Sequence, residues 1–141
     1  MLSKSHAKVF FLGGTVVTFA IFLGLSWNSL SNDVPKQTHE ENLTQEVIHG
    51  KEIWEQNNCM GCHTILGEGA YYAPELTKVY ERRGDAYIRT VLTSKAPWQP
   101  RGRKMVAYEM SEKDANDMIA FLKWIGETDL NGFPPEPDLK K

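Results

Sequence analysis

The chain opens with a long apolar stretch. No charged side chain occurs from Val9 to Asn32, a run of 24 residues. As a helix at about 1.5 Å per residue this run would be about 36 Å long, enough to cross a hydrocarbon core of about 30 Å. A cleaved signal peptide, cut near Ser29 or Ser31, is the alternative, but its apolar part is usually shorter. The pattern therefore favours an uncleaved membrane anchor over residues 1–32.

A helical pattern returns after a polar stretch that contains Pro35. Residues 33–42 are interpreted as a linker. The next segment, residues 42–57, is predicted to be a helix with Asn42 as N-cap and Gln45 at the third helical position. Its apolar stripe has a glycine on the same face, which would let a second helix cross closely: Leu43, Val47, Gly50 and Trp54.

A second helix is predicted near the end of the chain. Ser111 is its expected N-cap, Asp114 completes an approximate capping box, and Gly126 ends it. Its apolar positions recur with helical spacing at Ala115, Met118, Ile119, Leu122 and Ile125. We expect an all-α fold with a crossed pair of helices, and with Trp124 filling space beside the crossing. The compact domain would occupy residues 43–128, followed by an extended Pro-rich tail, residues 129–141.

Charge is distributed unevenly along the chain. Residues 1–32 contain Lys4 and Lys8 and no acid, whereas residues 33–141 carry 18 acidic and 14 basic side chains, so 18 − 14 leaves a net charge of −4. The positive-inside rule places the N-terminus in the cytoplasm and the compact domain outside, with Trp27 at the outer interface. The basic residues are scattered, which does not fit a nucleic-acid-binding surface.

The two cysteines stand in the sequence Cys59-Met60-Gly61-Cys62-His63. This spacing is typical of covalent haem attachment, in which each thiol forms a thioether and His63 is the proximal iron ligand. A thioredoxin-like redox motif would need a βαβ context, which the pattern does not predict. A zinc site would need a fourth ligand, and no second Cys/His cluster accompanies the motif.

A low-spin haem needs a second axial ligand. Met105 lies in the loop 96–110 and has no competing structural role, so we favour it over Met110, which precedes the Ser111 cap and is placed for a hydrophobic staple. Met60 is too close to the attachment site, and Met118 belongs to the predicted core. The less favoured histidine alternatives are His39 and His49.

Two further groups are candidates for supporting roles. The carbonyl of Pro74 is expected to accept the second ring N–H of His63, although Pro74 could equally serve as a helix-starting residue. Arg101, Arg103 and Lys104 would neutralise haem propionates, contact a partner or form a solvated loop; the sequence leaves these alternatives open.

The run from Trp54 to Leu76, WEQNNCMGCHTILGEGAYYAPEL, strongly resembles the cytochrome c subunit of bacterial nitric oxide reductase. The resemblance extends over nearly the whole chain, through the N-terminal anchor, RGRKM at 101–105, FLKW at 121–124 and NGFPP at 131–135. In small cytochromes c proline often follows the ligand methionine, whereas here Val106 follows Met105.

The resemblance implies a class I-like cytochrome c domain with one covalent haem, ligated by His63 and Met105. It implies a single-pass protein of the bacterial inner membrane with a periplasmic haem domain. Its partner would be a large multi-helix catalytic subunit, which takes electrons through the haem and reduces two molecules of nitric oxide to nitrous oxide and water. The donor would be a soluble cytochrome c or cupredoxin. The resemblance also implies a calcium ion shared by the two subunits, to which Gly69 contributes a carbonyl and Tyr71 a hydroxyl.

Two other functions compete with this one. A free-standing anchored cytochrome c could donate electrons to a haem–copper oxidase, and a haem-based gas sensor would keep a labile far-side ligand. No catalytic nucleophile–base pair is apparent, so the chain is expected to be a non-catalytic electron-transfer subunit of an oxidoreductase complex.

Overall fold

The computed structural model describes residues 3–99 and 102–132. The chain forms two compact units, Met1–Gln37 and Thr38–Lys141.

The N-terminal unit is a long apolar helix. Helix α1 spans Lys4–Asn28, and the hydroxyl of Ser3 caps it by accepting the His6 N–H at 3.2 Å. A π-helical turn, Ser29–Asp33, and helix α2, Val34–Thr38, continue it. An 18-residue window of this helix has a mean hydropathy of 2.1 and no buried residue, so the helix is long and apolar enough to cross a membrane.

The helix continues further than the sequence predicts. Residues 33–42 were expected to be a linker, but helical structure persists to Thr38. Pro35 lies in the first turn of α2, directly after the π-helical turn. The regular helical hydrogen-bond pattern is already interrupted there, so the missing N–H of proline is tolerated. The helical path ends at His39, which has a left-handed backbone (φ 50°), and a 3₁₀ turn, Glu40–Asn42, follows.

The second unit is built on a helix crossing. Helix α3, Gln45–Gln56, and helix α4, Val79–Leu92, both pack on helix α5, Glu112–Glu127. A Cβ atom built on Gly50 of α3 would overlap the backbone of Asp117 and the Cβ atom of Phe121, so glycine permits this approach. The crossing expected from the sequence is therefore present.

The N-cap of α3 differs from the prediction. Thr44, not Asn42, caps the helix: its backbone is extended and its hydroxyl accepts the Val47 N–H at 3.5 Å. Asn42 is held instead in the preceding 3₁₀ turn, where its N–H bonds to the carbonyl of His39. Leu43 consequently lies outside the helix and is exposed, while Ile53 joins Val47 and Trp54 in the core.

Helix α5 follows its predicted pattern. The Ser111 hydroxyl accepts the Asp114 N–H at 3.1 Å, and all five apolar stripe positions are buried. Trp124 is half-buried, and its indole N–H donates to the carbonyl of His39. The helix ends at Glu127, one residue beyond the expected Gly126. Of the tail, residues 133–141 lie outside the described residues.

A small hairpin lies between α3 and α4. Strand β1, Thr64–Ile65, pairs antiparallel with strand β2, Glu68–Gly69. Leu66 and Gly67 close the turn with positive φ angles of 50° and 84°, a two-residue turn that fits the twist of paired strands. Helix α4 is bent at Gly84, whose backbone is non-helical with φ 73°.

Candidate functional site

The cysteine motif follows directly on helix α3. Asn58 adopts a left-handed backbone (φ 50°), and Cys59–Gly61 form a 3₁₀ turn that brings the His63 N–H to 2.8 Å from the Cys59 carbonyl. Cys59 is buried and Cys62 is exposed. Burial raises the pKa of the Cys59 thiol to about 11. A thiol with so high a pKa is unlike the low-pKa cysteine of a redox CxxC motif.

His63 is held by a backbone carbonyl. Its Nδ1 atom lies 2.8 Å from the Pro74 carbonyl oxygen. A carbonyl can only accept, so Nδ1 carries the proton and Nε2 keeps the free lone pair that a metal needs. Burial lowers the pKa of His63, and the hydrogen bond to Pro74 offsets part of this effect. The hydrogen bond expected from the sequence is thus present.

The segment after the cysteine motif folds back and forms backbone hydrogen bonds with it. The Ala70 N–H bonds to the carbonyls of Met60 and His63, and the Ala73 N–H bonds to the carbonyl of Cys62. A Cβ atom on Gly69, where φ is 120°, would overlap the His63 carbonyl oxygen. Gly69 is therefore required for this close return of the chain.

His63 and both cysteines line a cavity of about 790 Å³. Its volume lies within the range of about 300–1,000 Å³ typical of ligand and cofactor sites. The wall is largely apolar and aromatic: Tyr72, Leu76, Val79, Tyr87, Ile88, Leu92, Trp98, Tyr108 and Leu122 are among the residues that form it.

The charged side chains that line this cavity in the described residues are all basic. Arg82, Arg83, Arg103 and Lys104 line it, and no carboxylate does so within the described residues. An apolar cavity edged by cations suits a flat hydrophobic group with an anionic edge, which is the chemistry of haem and its propionates. The indole N–H of Trp54, buried beside His63, finds no hydrogen-bond acceptor in the described part of the chain. The residues present fit a covalently attached haem.

Two methionines lie near the cavity. Met105 lines it together with His63, and two backbone hydrogen bonds to Trp98, of 3.0 and 2.9 Å, hold it in place. Met110 does not line this cavity; it borders a smaller adjoining pocket of about 30 Å³, which His63 and Met105 also line, and its N–H bonds to the carbonyl of Leu92. Met60 is exposed, and Met118 is buried in the core. The geometry brings Met105 and His63 to one cavity, as the prediction requires.

The two alternative histidines lie elsewhere. His49 Nδ1 is 2.6 Å from a carboxylate oxygen of Asp117, and His39 Nδ1 is 3.2 Å from Glu41. Neither histidine lines the cavity.

The two residues expected to bind calcium lie at the return of the chain after β1. Gly69 ends β2, and the side chain of Tyr71 is exposed. No group of three or more His, Cys, Asp or Glu side chains that could hold a metal ion occurs in the described ranges. Calcium takes about six to eight oxygen ligands, so these two donors alone do not make a complete site.

The loop before Met105 makes contacts that the sequence did not predict. The Arg103 guanidinium donates to the carbonyls of Tyr71 and Tyr72, and Arg101 lies outside the described residues. The cavity residues Arg82, Arg83, Tyr87 and Tyr108 were also missed. Arg82 and Arg83 are adjacent in the sequence, which is the one signal that could have indicated a cationic cavity wall. An isolated pair of basic residues is, however, equally common on a solvated helix face.

Comparison with known proteins agrees with this site. The cytochrome c family model matches residues 47–126. The C subunit of the nitric oxide reductase of Stutzerimonas stutzeri is 41% identical over 141 residues, covering 96% of each chain. The proteins of the same name from Halomonas halodenitrificans and Cereibacter sphaeroides are 40% and 38% identical over 144 residues, covering 96% of this chain and 96% and 95% of theirs.

Proposed function

The chain belongs to the cytochrome c family and, within it, to the family of nitric oxide reductase C subunits, and we propose that it is the electron-entry subunit of its complex. Membership implies a membrane-anchored subunit with covalent haem c and a catalytic partner subunit. The observation that carries the proposal is the single cavity bordered by Cys59, Cys62, His63 and Met105.

In this proposal the haem is held at four points. Cys59 and Cys62 would form thioethers, and His63, through Nε2, and Met105 would be the iron ligands. When bound, the haem supplies one-electron redox chemistry. The Pro74 carbonyl fixes the ring of His63, and the bonds to Trp98 fix the backbone of Met105. A thioether ligand raises the reduction potential, which suits acceptance of electrons from a soluble donor.

The cations around the cavity have a role in the same scheme. Arg82 is already paired with Glu75, since its Nη2 atom is 2.5 Å from the Glu75 carbonyl oxygen and its Nη1 atom is 3.4 Å from the carboxylate. Arg83 makes no ion pair with a carboxylate in the described residues. It is the best available partner for a haem propionate, since an unpaired cation at an apolar rim attracts anionic groups.

The orientation follows from charge. Lys4 and Lys8 precede the uncharged stretch of the apolar helix, and the first acid, Asp33, follows that stretch. We place the N-terminus in the cytoplasm and the haem domain, residues 43–128, in the periplasm. There the domain would meet a soluble cytochrome c or cupredoxin as donor, and would pass electrons to a haem b of the catalytic subunit, where nitric oxide is reduced to nitrous oxide and water.

A calcium ion shared with the catalytic subunit is part of the proposal. Gly69 would give a carbonyl and Tyr71 its phenol oxygen. Both are neutral donors, so the partner would have to supply the carboxylates and most of the roughly six to eight oxygens that calcium takes. The exposure of the Tyr71 side chain, 77%, leaves its hydroxyl accessible to a partner.

The proposal is tested by co-purification and activity together. The tagged chain would be isolated from native membranes in mild detergent, and nitric oxide consumption would be followed with an electrode after adding a reduced donor. We expect a large membrane protein to co-purify, and consumption to disappear in membranes that lack the chain and return when it is restored. A free-standing cytochrome that shuttles to an oxidase would instead purify as a monomer and be inert towards nitric oxide.

A further inference from the structure

Arg103 forms a bridge between two loops at the mouth of the haem cavity. Its Nη1 atom donates to the carbonyl of Tyr71 at 3.2 Å and to the carbonyl of Tyr72. The guanidinium also lies over the Tyr72 ring, 5.6 Å from its centroid. The Arg103 side chain therefore contacts both the backbone and an aromatic ring of a segment that is distant from it in sequence.

The two loops carry the two sides of the haem site. The first loop, Tyr71–Tyr72, is flanked by Ala70 and Ala73, whose N–H groups bond to carbonyls of the haem motif. The second loop carries Met105, which is only two residues after Arg103. Tyr72, Arg103 and Met105 all line the cavity. The guanidinium thus completes a chain of contacts that runs from the His63 side to the Met105 side.

The other anchors of the Met105 loop in the described residues reach α4. Trp98 exchanges two backbone hydrogen bonds with Met105, and its ring packs edge-to-face on Tyr87 of α4 at 5.8 Å. At the end of the loop, the Met110 N–H bonds to the carbonyl of Leu92. These anchors fix the loop to α4 but not to the haem motif. The link to the motif side is made by Arg103, with a weaker contact of 3.5 Å from the Lys104 N–H to the Tyr72 hydroxyl.

From these contacts we infer that Arg103 is a positioning residue that holds Met105 over the iron and slows its release. The inference rests on the ligand assignment under the proposed function. Arginine suits the role because one guanidinium nitrogen donates to both carbonyls while the planar group lies over an aromatic ring. Lysine keeps the charge and can donate to carbonyls, but its compact ammonium group has no plane to lie over the ring of Tyr72.

A neighbouring lysine gives a matched control. Lys104 lines the same cavity and carries the same charge, but its side chain makes no hydrogen bond within the described residues. Replacing either residue by methionine removes one positive charge near the haem. Both changes should shift the haem c midpoint potential downwards, because a lost cation favours the ferric state. Only the change at Arg103 should loosen Met105.

The test uses the assembled complex in detergent, with Arg103→Met, Arg103→Lys, Lys104→Met and Met105→Ala. The readouts are the rate of carbon monoxide binding to ferrous haem c, and the sulfur-to-iron charge-transfer band of the ferric haem. We expect Arg103→Met to bind carbon monoxide at least about tenfold faster than the wild type, because a charge-assisted hydrogen bond is lost. Arg103→Lys should be intermediate, and Lys104→Met should stay within about twofold of the wild type.

Three results would overturn the inference. If Arg103→Met and Lys104→Met speeded binding equally, the effect would be one of charge and not of position. If both matched the wild type while Met105→Ala bound carbon monoxide rapidly, the ligand assignment would stand and the positioning role would fall. If Met105→Ala itself bound no faster, Met105 would not be the ligand, and the proposed site would fall with the inference. Should Arg103→Met fail to assemble, Arg103→Lys carries the same comparison.

Discussion

The Nδ1 atom of His63 lies 2.8 Å from the carbonyl oxygen of Pro74, eleven residues further along the chain. This contact fixes the tautomer of the imidazole and leaves Nε2 for the iron. It also ties the haem motif to the segment that leads into α4. One hydrogen bond therefore orients the ligand and also helps to hold the motif against this segment.

The first prediction concerns the second axial ligand. Met105→Ala should leave the haem covalently attached, but turn it high-spin and lower its potential, because the thioether is lost. Absorption spectra and a redox titration of the purified complex measure both effects.

Met110→Ala is the control for this change. Met110 is half-buried and packs against the core without lining the haem cavity. Its truncation should cost about 1–2 kcal/mol of stability and leave the haem low-spin. Loss of the thioether signature in Met110→Ala alone would mean that the ligand has been assigned to the wrong methionine.

A second prediction tests the helix crossing. Gly50→Ala should destabilise the haem domain by about 1–3 kcal/mol or more, because the new methyl group would overlap the backbone of Asp117. Glu52→Ala, at an exposed position of the same helix, should change stability by less than about 0.5 kcal/mol. Denaturant unfolding of the full chain in detergent, followed by the haem absorbance, compares the two. Equal stability would mean that the helices do not cross closely at Gly50.

A third prediction concerns the buried carboxylate of Asp117. Its side chain is 4% exposed, and one oxygen lies 2.6 Å from both His49 Nδ1 and Lys113 Nζ. Asp117→Asn should cost about 1–3 kcal/mol, since charge-assisted hydrogen bonds are lost in a shielded place. Glu55→Gln is the control, because it removes an ion pair with Lys51 that is similarly short, at 2.5 Å, but whose two side chains are each 56% exposed. This change should lower the free energy of unfolding by less than about 1 kcal/mol.

The effect of Asp117 should also depend on pH. Burial raises the pKa of this carboxyl, but the hydrogen bonds from Lys113 and His49 outweigh burial and hold the pKa below its usual value. A lowered pKa in the folded state stabilises the fold at pH values above the unfolded-state pKa of about 3.9, and this stabilisation is lost as the pH falls through the folded-state pKa. The stability difference between wild type and Asp117→Asn should therefore be full near neutral pH and shrink in acid. A difference that grew in acid would contradict this account.

A fourth prediction concerns calcium. Tyr71→Phe should lower the calcium content of the purified complex, measured by elemental analysis, while the haem spectrum stays unchanged, because only a ligand oxygen is removed. The adjacent Tyr72→Phe removes the same kind of hydroxyl from a residue turned towards Arg103, and should retain calcium. The same calcium content in all three proteins would exclude Tyr71 as a ligand.

Much of this molecule could be predicted from local signals. The CxxCH motif, the Ser111 cap and the stripe of α5 each depend on residues close in sequence, and the helix crossing at Gly50 follows from glycine on an apolar face. The cap of α3 was misplaced by two residues because Asn42 and Thr44 are both good N-caps, and only the 3₁₀ turn before them decides between the two.

Other features depend on tertiary contacts that no local pattern encodes. Helix α4 was not predicted, since Gly84 interrupts its periodicity and its first turns are highly charged. Asp117 is buried at the helix crossing, where His49 of α3, 68 residues earlier in the chain, meets its carboxylate. The contacts of Arg103 likewise appear only when two distant loops close over the cavity.

The measurement that tests the central claim most directly is rapid-mixing reduction of the assembled complex by a reduced soluble donor, with haem c and haem b followed at separate wavelengths. Our account predicts that haem c is reduced first, that haem b follows, and that Met105→Ala slows the second step by lowering electron occupancy of haem c. Reduction of haem b at an unchanged rate in Met105→Ala, or before haem c in the wild type, would show that electrons enter the complex by another route.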